Sequence, residues 1–221
     1  MIKNAGMVRK IGLCVAIGGL ALGAGVASAE TFNATALVEN TLAITKVQDL
    51  DFGTMFAASA NDQAVAGLVL APDGNVTSAT ALVVDGASAI SDAPKLLSLG
   101  GSAAARGSVS VGQGFTLQLP DKTSAALATG SAFVPGEGIA LTVNSDPSEA
   151  AFYLVDFTVG DVVGGTETDA GSGAWTVTKD FGATEVEFGI GASIYTDGAG
   201  TPRTSYQAAT YSGTFDVTAS Y

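Results

Sequence analysis

The chain contains no histidine, and its one cysteine, Cys14, lies close to the start. Without imidazole there is no Ser-His or Cys-His pair, no histidine general base and no imidazole metal cluster. Zinc has no thiolate set either. Despite 29 glycines, no G-x-G-x-x-G follows a strand, and G-x-S-x-G, S-x-x-K and Walker loops are also missing. The commonest hydrolase, nucleotide-binding and metalloenzyme constellations are thereby excluded, and the expectation is a protein that is not an enzyme.

Basic residues are equally scarce. Of the nine, Lys3, Arg9 and Lys10 sit in the first ten positions; the remaining six stand against 21 acidic residues, a net charge of −15. Nucleic acid and anionic membrane surfaces both require Lys and Arg patches, so neither is expected as a partner. Long apolar runs are missing too. Ile11 to Val26 supplies about sixteen apolar or small residues, short of the roughly 20 that a spanning helix needs. Preceded by its three basic residues and followed by Ala27-Ser28-Ala29, this run reads as a secretory signal peptide over residues 1–29. Leu13 before Cys14 is too large for a lipoprotein cleavage site. The mature chain, residues 30–221, begins at Glu30 as one domain without cysteine. It is expected in the periplasm, at the cell surface or outside the cell, with no membrane insertion, and holds itself together by core burial alone.

What the mature chain does contain is short β-rich runs between turn clusters. Apart from the Ala-rich stretch from Ala57 to Ala66, no segment shows a sustained apolar stripe at helical spacing. Strands are expected at Thr31 to Val38, Leu42 to Val47, Gly67 to Leu70, Thr80 to Val84, Gly107 to Val111, Phe115 to Leu119, Ile139 to Asn144, Ala151 to Val159, Ala174 to Lys179, Thr184 to Tyr195 and Tyr211 to Tyr221. Turns fall at Pro72-Asp73-Gly74, Leu119-Pro120-Asp121, Pro135-Gly136 and Asp197-Gly198, where Pro presets φ and Gly accepts positive φ. The pattern predicts an all-β fold, an antiparallel sandwich or a barrel.

The last eleven residues alternate without an error. Tyr211, Phe215, Val217 and Tyr221 share one face, with Ser212, Thr214, Asp216, Thr218 and Ser220 on the other, the pattern of a half-buried strand. Outer-membrane barrels also end in this way, and the mature length suffices for eight strands of roughly ten residues. Ile139-Ala140-Leu141-Thr142-Val143, however, is apolar on nearly both faces, and 16 aromatics make a poor pair of girdles. A sandwich fits better.

Carboxylates offer two further readings. Asp156 and Glu187 are candidates for a glycosidase pair, but among 21 acids the signal has almost no specificity. Gly160 to Asp169 and Asn144 to Glu149 crowd oxygen ligands into what read as flexible loops. Asp161, Glu167 and Asp169 are therefore weak candidates for calcium, although neither segment matches an EF-hand loop. Otherwise no cofactor is expected. Trp175 shares a strand face with Val177 and reads as core.

The blocks Leu50-Asp51-Phe52-Gly53-Thr54, Pro72-Asp73-Gly74-Asn75-Val76, Phe115-Thr116-Leu117-Gln118-Leu119-Pro120, Phe188-Gly189-Ile190-Gly191-Ala192-Ser193-Ile194 and Ala209 to Tyr221 occur in this order across the mature chain. Together they resemble the bacterial secreted domain-of-unknown-function 4402 family, near the spore-coat-protein-U and chaperone–usher pilin families. The resemblance implies an immunoglobulin-like, pilin-like antiparallel β-sandwich, exported by a Gram-negative bacterium to serve a structural or adhesive role at the surface. It also implies partners: other copies or related subunits, and a periplasmic chaperone. In the pilins, a subunit lacks one strand and receives it from the next subunit's N-terminal extension, by strand addition. Here the extension would be Glu30 to Val38, with Phe32, Ala34, Ala36 and Val38 on one face, and the partner-reading strand would be Tyr211 to Tyr221. The chain departs from the pilin pattern in lacking a cysteine pair and in placing Tyr221 last rather than one residue earlier. A small outer-membrane barrel and a calcium- or ligand-binding secreted sandwich are the alternatives.

Overall fold

The computed structural model describes residues 42–58, 64–83, 95–129, 132–143, 149–198 and 205–221, all within one compact unit, Asn40–Tyr221. The expected leader, the extension residues Phe32, Ala34, Ala36 and Val38, and most of the 144–149 segment lie outside the described residues.

In chain order the strands are β1 (Ile44–Gln48), β2 (Thr54–Ala58), β3 (Ala64–Val65), β4 (Gly67–Leu70), β5 (Val76–Ser78), β6 (Leu82–Val83), β7 (Lys95–Gly100), β8 (Ala105–Ser110), β9 (Phe115–Gln118), β10 (Ala128–Thr129), β11 (Ala132–Phe133), β12 (Ile139–Leu141), β13 (Phe152–Val163), β14 (Gly165–Gly171), β15 (Ala174–Lys179), β16 (Glu185–Thr196) and β17 (Thr218–Ser220). Helix among the described residues is limited to α1 (Ser124–Leu127) and one 3-10 turn at Pro135–Glu137. The fold is all-β, and every strand pairing is antiparallel.

Seven strands form the larger sheet, in the order β1-β8-β16-β13-β12, with β4 joined to β16 and β5 to β4. A four-stranded sheet runs β14-β15-β9-β17, and β2-β7, β3-β6 and β10-β11 form two-stranded ribbons. Both larger sheets contribute to one hydrophobic core: Leu70, Val109, Leu154, Phe188 and Ile194 from the first, Phe115, Leu117 and Val177 from the second. Fully burying each such side chain stabilises the fold by about 1.5–3 kcal/mol. A smaller cluster of Val65, Leu127, Tyr153, Val155 and Tyr195 covers the other face of β13 and β16. These two strands are buried on both faces, which is why their sequences are nearly continuously apolar.

β16 carries two glycines for a steric reason. A Cβ on Gly191 would lie 2.2 Å from the Leu70 carbonyl oxygen, and one on Gly189 would lie 2.3 Å from that of Pro72. The chain leaving β4 crosses the sheet at these two positions, and only a residue without a side chain admits it.

Three expectations are corrected. The final eleven residues are not one ladder: β17 comprises only Thr218–Ser220, and upstream, among the described residues, only Ser212 pairs, with Thr142. In the β17–β9 register Thr218 faces Gln118, so Asp216 would face Pro120, which has no amide to donate. The Ala-rich stretch is not helical where it is described, because Ala57 and Ala58 end β2 and Ala64 and Val65 form β3. The Gly160 to Asp169 segment is no flexible loop but the end of β13, a turn at Gly164, and most of β14. No described helix is long and apolar enough to cross a membrane, which says nothing of β-barrels.

Candidate functional site

Ser212 exchanges backbone hydrogen bonds with Thr142 (3.0 Å each way), beside the β12 edge of the larger sheet, while Thr218 to Ser220 belong to the smaller one. The segment between therefore passes from one sheet to the other. Among the described residues, Gly213 to Val217 make no backbone–backbone hydrogen bond. Their side chains nonetheless keep the strand alternation: Phe215 and Val217 turn toward the core, and Thr214 and Asp216 are exposed. The Phe215 ring lies 5.0 Å from that of Phe157, centroid to centroid.

Facing this segment is β1, the other edge of the larger sheet. Between them lies a groove of about 460 Å³, walled by Ile44, Lys46, Gln48, Asp49 and Leu50 on one side and Gly213, Thr214, Phe215 and Val217 on the other. Its floor is Ala105, Arg106 and Gly107 of β8 with Phe188 and Ile190 of β16. Gly107 is required beside Phe188, whose ring would lie 2.8 Å from any Cβ there. The floor is thus largely apolar. Besides Arg106, which pairs with Asp161, charge lies at the rim, where Lys46 bridges Asp49 at 2.8 Å in an exposed pair worth little to stability.

The segment's entry is fixed by aromatic packing. Tyr206 stacks on Phe152 at 4.3 Å, and Tyr211 meets the Phe152 ring edge-on at 4.9 Å. The Tyr211 hydroxyl accepts the Gln207 amide proton at 2.9 Å. Of the four C-terminal residues expected to form one interaction face, then, Phe215 and Val217 line the groove. Tyr211 is taken up in the aromatic cluster, and Tyr221 is 48% exposed at the end of the chain. The sequence pattern did not reveal the opposite wall or the floor, because β1 contributes mostly polar residues at its edge.

The carboxylates are dispersed. Asp156 and Asp161 stand at positive φ, 51° and 48°, in the two bulges of β13. The Asp156 carboxylate accepts the Ser124 amide proton at 2.8 Å, and Asp161 pairs with the Arg106 guanidinium. Asp169 accepts the Gly171 amide proton at 2.8 Å, and Glu167 faces Val177 across the β14–β15 ladder. Among the described residues no three His, Cys, Asp or Glu side chains gather into a metal-holding group. Glu187 lies opposite Val163, seven residues along β13 from Asp156. At about 3.3 Å per residue that is on the order of 20 Å, beyond any glycosidase spacing. Asp156 and Glu187 therefore do not form a catalytic pair.

Trp175 packs partly buried against the core, as expected, and its edge borders a small hollow of about 160 Å³ shared with Asp121, Asp156 and Asp169. Comparison of the chain with protein-family models, with curated proteins and with solved structures returns no match.

Proposed function

We propose that the mature chain is a non-enzymatic, exported structural or adhesive subunit of the cell surface, an immunoglobulin-like β-sandwich that assembles by strand addition. The observation that carries this reading is the run Gly213 to Val217. It is an extended segment whose backbone groups have no backbone partner among the described residues, and it borders an apolar-floored groove beside β1. An added strand satisfies such groups, and its alternate side chains fill the groove. The occupant is the Glu30 to Val38 extension of another copy or a related subunit, with Phe32, Ala34, Ala36 and Val38 directed inward and a periplasmic chaperone delivering the subunit. The contrast with β14 supports this choice of edge. That strand places half-buried Glu167 and exposed Asp169 opposite Val177 and Trp175, carboxylates beside apolar side chains at the edge, a device that discourages pairing. The edges that the larger sheets leave open among the described residues support the sandwich reading over a closed barrel.

A peptide of residues 30–38 added to purified mature protein tests the reading. Binding to the native protein alone raises the melting temperature with peptide concentration, and Val217→Asp, which puts a charge in the groove wall, abolishes that rise. If the protein stays monomeric after mild heating and the peptide neither binds nor stabilises it, the reading is wrong.

A further inference from the structure

Two apolar patches lie outside the groove, and folding accounts for neither. In the β2–β7 ribbon, Phe56 and Leu97 are direct cross-strand partners, and Leu99 stands in the bulge that follows, between Ser98 and Gly100. They are 50%, 53% and 66% exposed, whereas Leu96 on the opposite face is buried in the core. The pairs Thr54–Gly100, Phe56–Leu97 and Ala58–Lys95, with Leu99 in the bulge, include no carboxylate and one cation. The second patch is the β15–β16 turn. There Phe181 is fully exposed, with Val163 also exposed on the adjoining β13–β14 turn. The two turns are tied together by the Asp180 amide, which donates to the Gly164 carbonyl at 3.0 Å. Lys179 donates its ammonium to the carbonyls of Asp180 and Ala183 at 3.1 and 2.6 Å. The backbone of the tip is therefore held in place, so presenting Phe181 at a contact costs little backbone ordering.

The patches lie toward opposite ends of β16. The tip leads into Glu185, the first residue of β16, while the ribbon packs beside β4, which pairs with Ala192 to Tyr195. Twelve residues of strand span about 40 Å, so the two patches of one copy do not meet. Copies of the mature chain, with net charge −15, repel one another, and contact is favoured where acids are missing or countered. The ribbon brings Lys95; the tip brings exposed Asp180 and Glu185 together with Lys179, whose ammonium is held by two carbonyls, so opposite net charges lie beside the apolar surfaces.

We infer that a second copy of this chain docks head to tail, the Phe181–Val163 tip of one against the Phe56–Leu97–Leu99 ribbon of the next, with Asp180 facing Lys95. The contact is heterologous, so it extends into a row instead of closing as a dimer. Five apolar side chains make a contact below the area of a stable complex, so it is reversible and concentration-dependent. It goes beyond the strand-addition reading and shares no residue with the groove.

Sedimentation of the full mature chain over increasing concentration tests this. The wild type forms a reversible open series. Phe181→Ser and the double variant Leu97→Ser/Leu99→Ser, all at exposed positions, each weaken association by about tenfold or more with melting temperatures unchanged. A mixture of the two yields one-to-one dimers that grow no further, since only one intact tip and one intact ribbon remain. Lys95→Glu and Asp180→Lys weaken association singly and restore it when combined in one chain. Ala36→Asp, which blocks strand addition, leaves this series intact and removes only heat-resistant oligomers, so each reading fails separately. A wild type that remains monomeric throughout, or a series indifferent to Phe181→Ser, overturns the inference.

Discussion

The Tyr206 hydroxyl ties together the ends of the two longest strands. It donates to the carbonyl of Ala151, the residue before β13, at 2.9 Å, and accepts the amide proton of Asp197, the residue after β16, at 2.7 Å. The β13–β16 ladder closes at Phe152 opposite Thr196, so this side chain extends the pairing one step beyond the backbone's own register. It also anchors the turn that feeds the groove wall. Tyr206→Phe keeps the stacking on Phe152 but deprives two buried backbone groups of this partner. The expected cost is about 1–3 kcal/mol, a fall in melting temperature of several degrees for a domain of this size. Thermal unfolding of the two proteins side by side measures it.

The same hydroxyl shapes the response to base. Burial first of all pushes the Tyr206 phenol well above its ordinary value of 10.0, and the nearby Asp197 charge adds to this, against the opposing hydrogen bond from the Asp197 amide. Tyr195 moves upward too, chiefly by burial and secondarily through Asp156. The unfolded chain loses these protons near pH 10 while the folded chain keeps them, so above that pH the unfolded state binds fewer protons and stability falls. The contribution is complete below pH 10 and declines as pH rises further. Urea midpoints measured from pH 8 to 12 therefore show a base limb, shallower in Tyr206→Phe.

Much of this architecture is legible from side-chain patterning, and the exceptions have physical causes. Strands buried on one or both faces, such as Phe115 to Gln118 and Glu185 to Thr196, announce themselves through apolar alternation or continuous apolar runs. Gly165–Gly171 does not, because an edge strand with an exposed outer face needs no apolar residues, and its Thr-Glu-Thr-Asp reads as loop. The C-terminal run shows the opposite failure. Its alternation correctly orients Phe215 and Val217, but alternation cannot tell whether a backbone partner exists, and Pro120 removes the one that β9 would have supplied. The groove is half visible in consequence: one wall follows from the pattern, while the other and the floor depend on which edge the topology leaves open.

Gly191 offers a sharp test of the crossing over β16. Its nearest neighbours at a Cβ position are backbone atoms of Leu70, Ala71 and Pro72, which no rotamer change can move. Gly191→Ala is expected to cost about 2–3 kcal/mol, whereas Gly74→Ala, in the open turn, strains only its own positive φ and costs about 1 kcal/mol. Chemical denaturation of both variants ranks them. Equal losses would show that the crossing is looser than described.

Calcium is expected to leave the protein unchanged. Asp161 is engaged by Arg106 and Asp169 by the Gly171 amide, and Glu167 projects from a strand rather than into a shared cage. A specific site at a hundredfold excess over its dissociation constant would add about 2.7 kcal/mol. Melting temperatures in millimolar calcium and in chelator should instead agree within about 1 °C, well below the several degrees that such a gain produces. A larger difference would restore the loop reading of this segment.

Finally, the carboxylates of β14 are expected to act against association. Glu167 and Asp169 face Val177 and Trp175 on a strand whose other side has no neighbour in the sheet among the described residues. An incoming strand would have to bury them beside apolar residues without countercharge, which is costly. Replacing both by valine removes that obstacle and raises local β-propensity. The double variant should therefore form oligomers or thioflavin-positive aggregates at concentrations where the wild type forms neither, with strand pairing at β14 detectable by hydrogen exchange of Gly165 to Gly171. Slowed exchange at Gly213 to Val217 instead would show that the open groove, and not the charged edge, governs how this chain meets its copies.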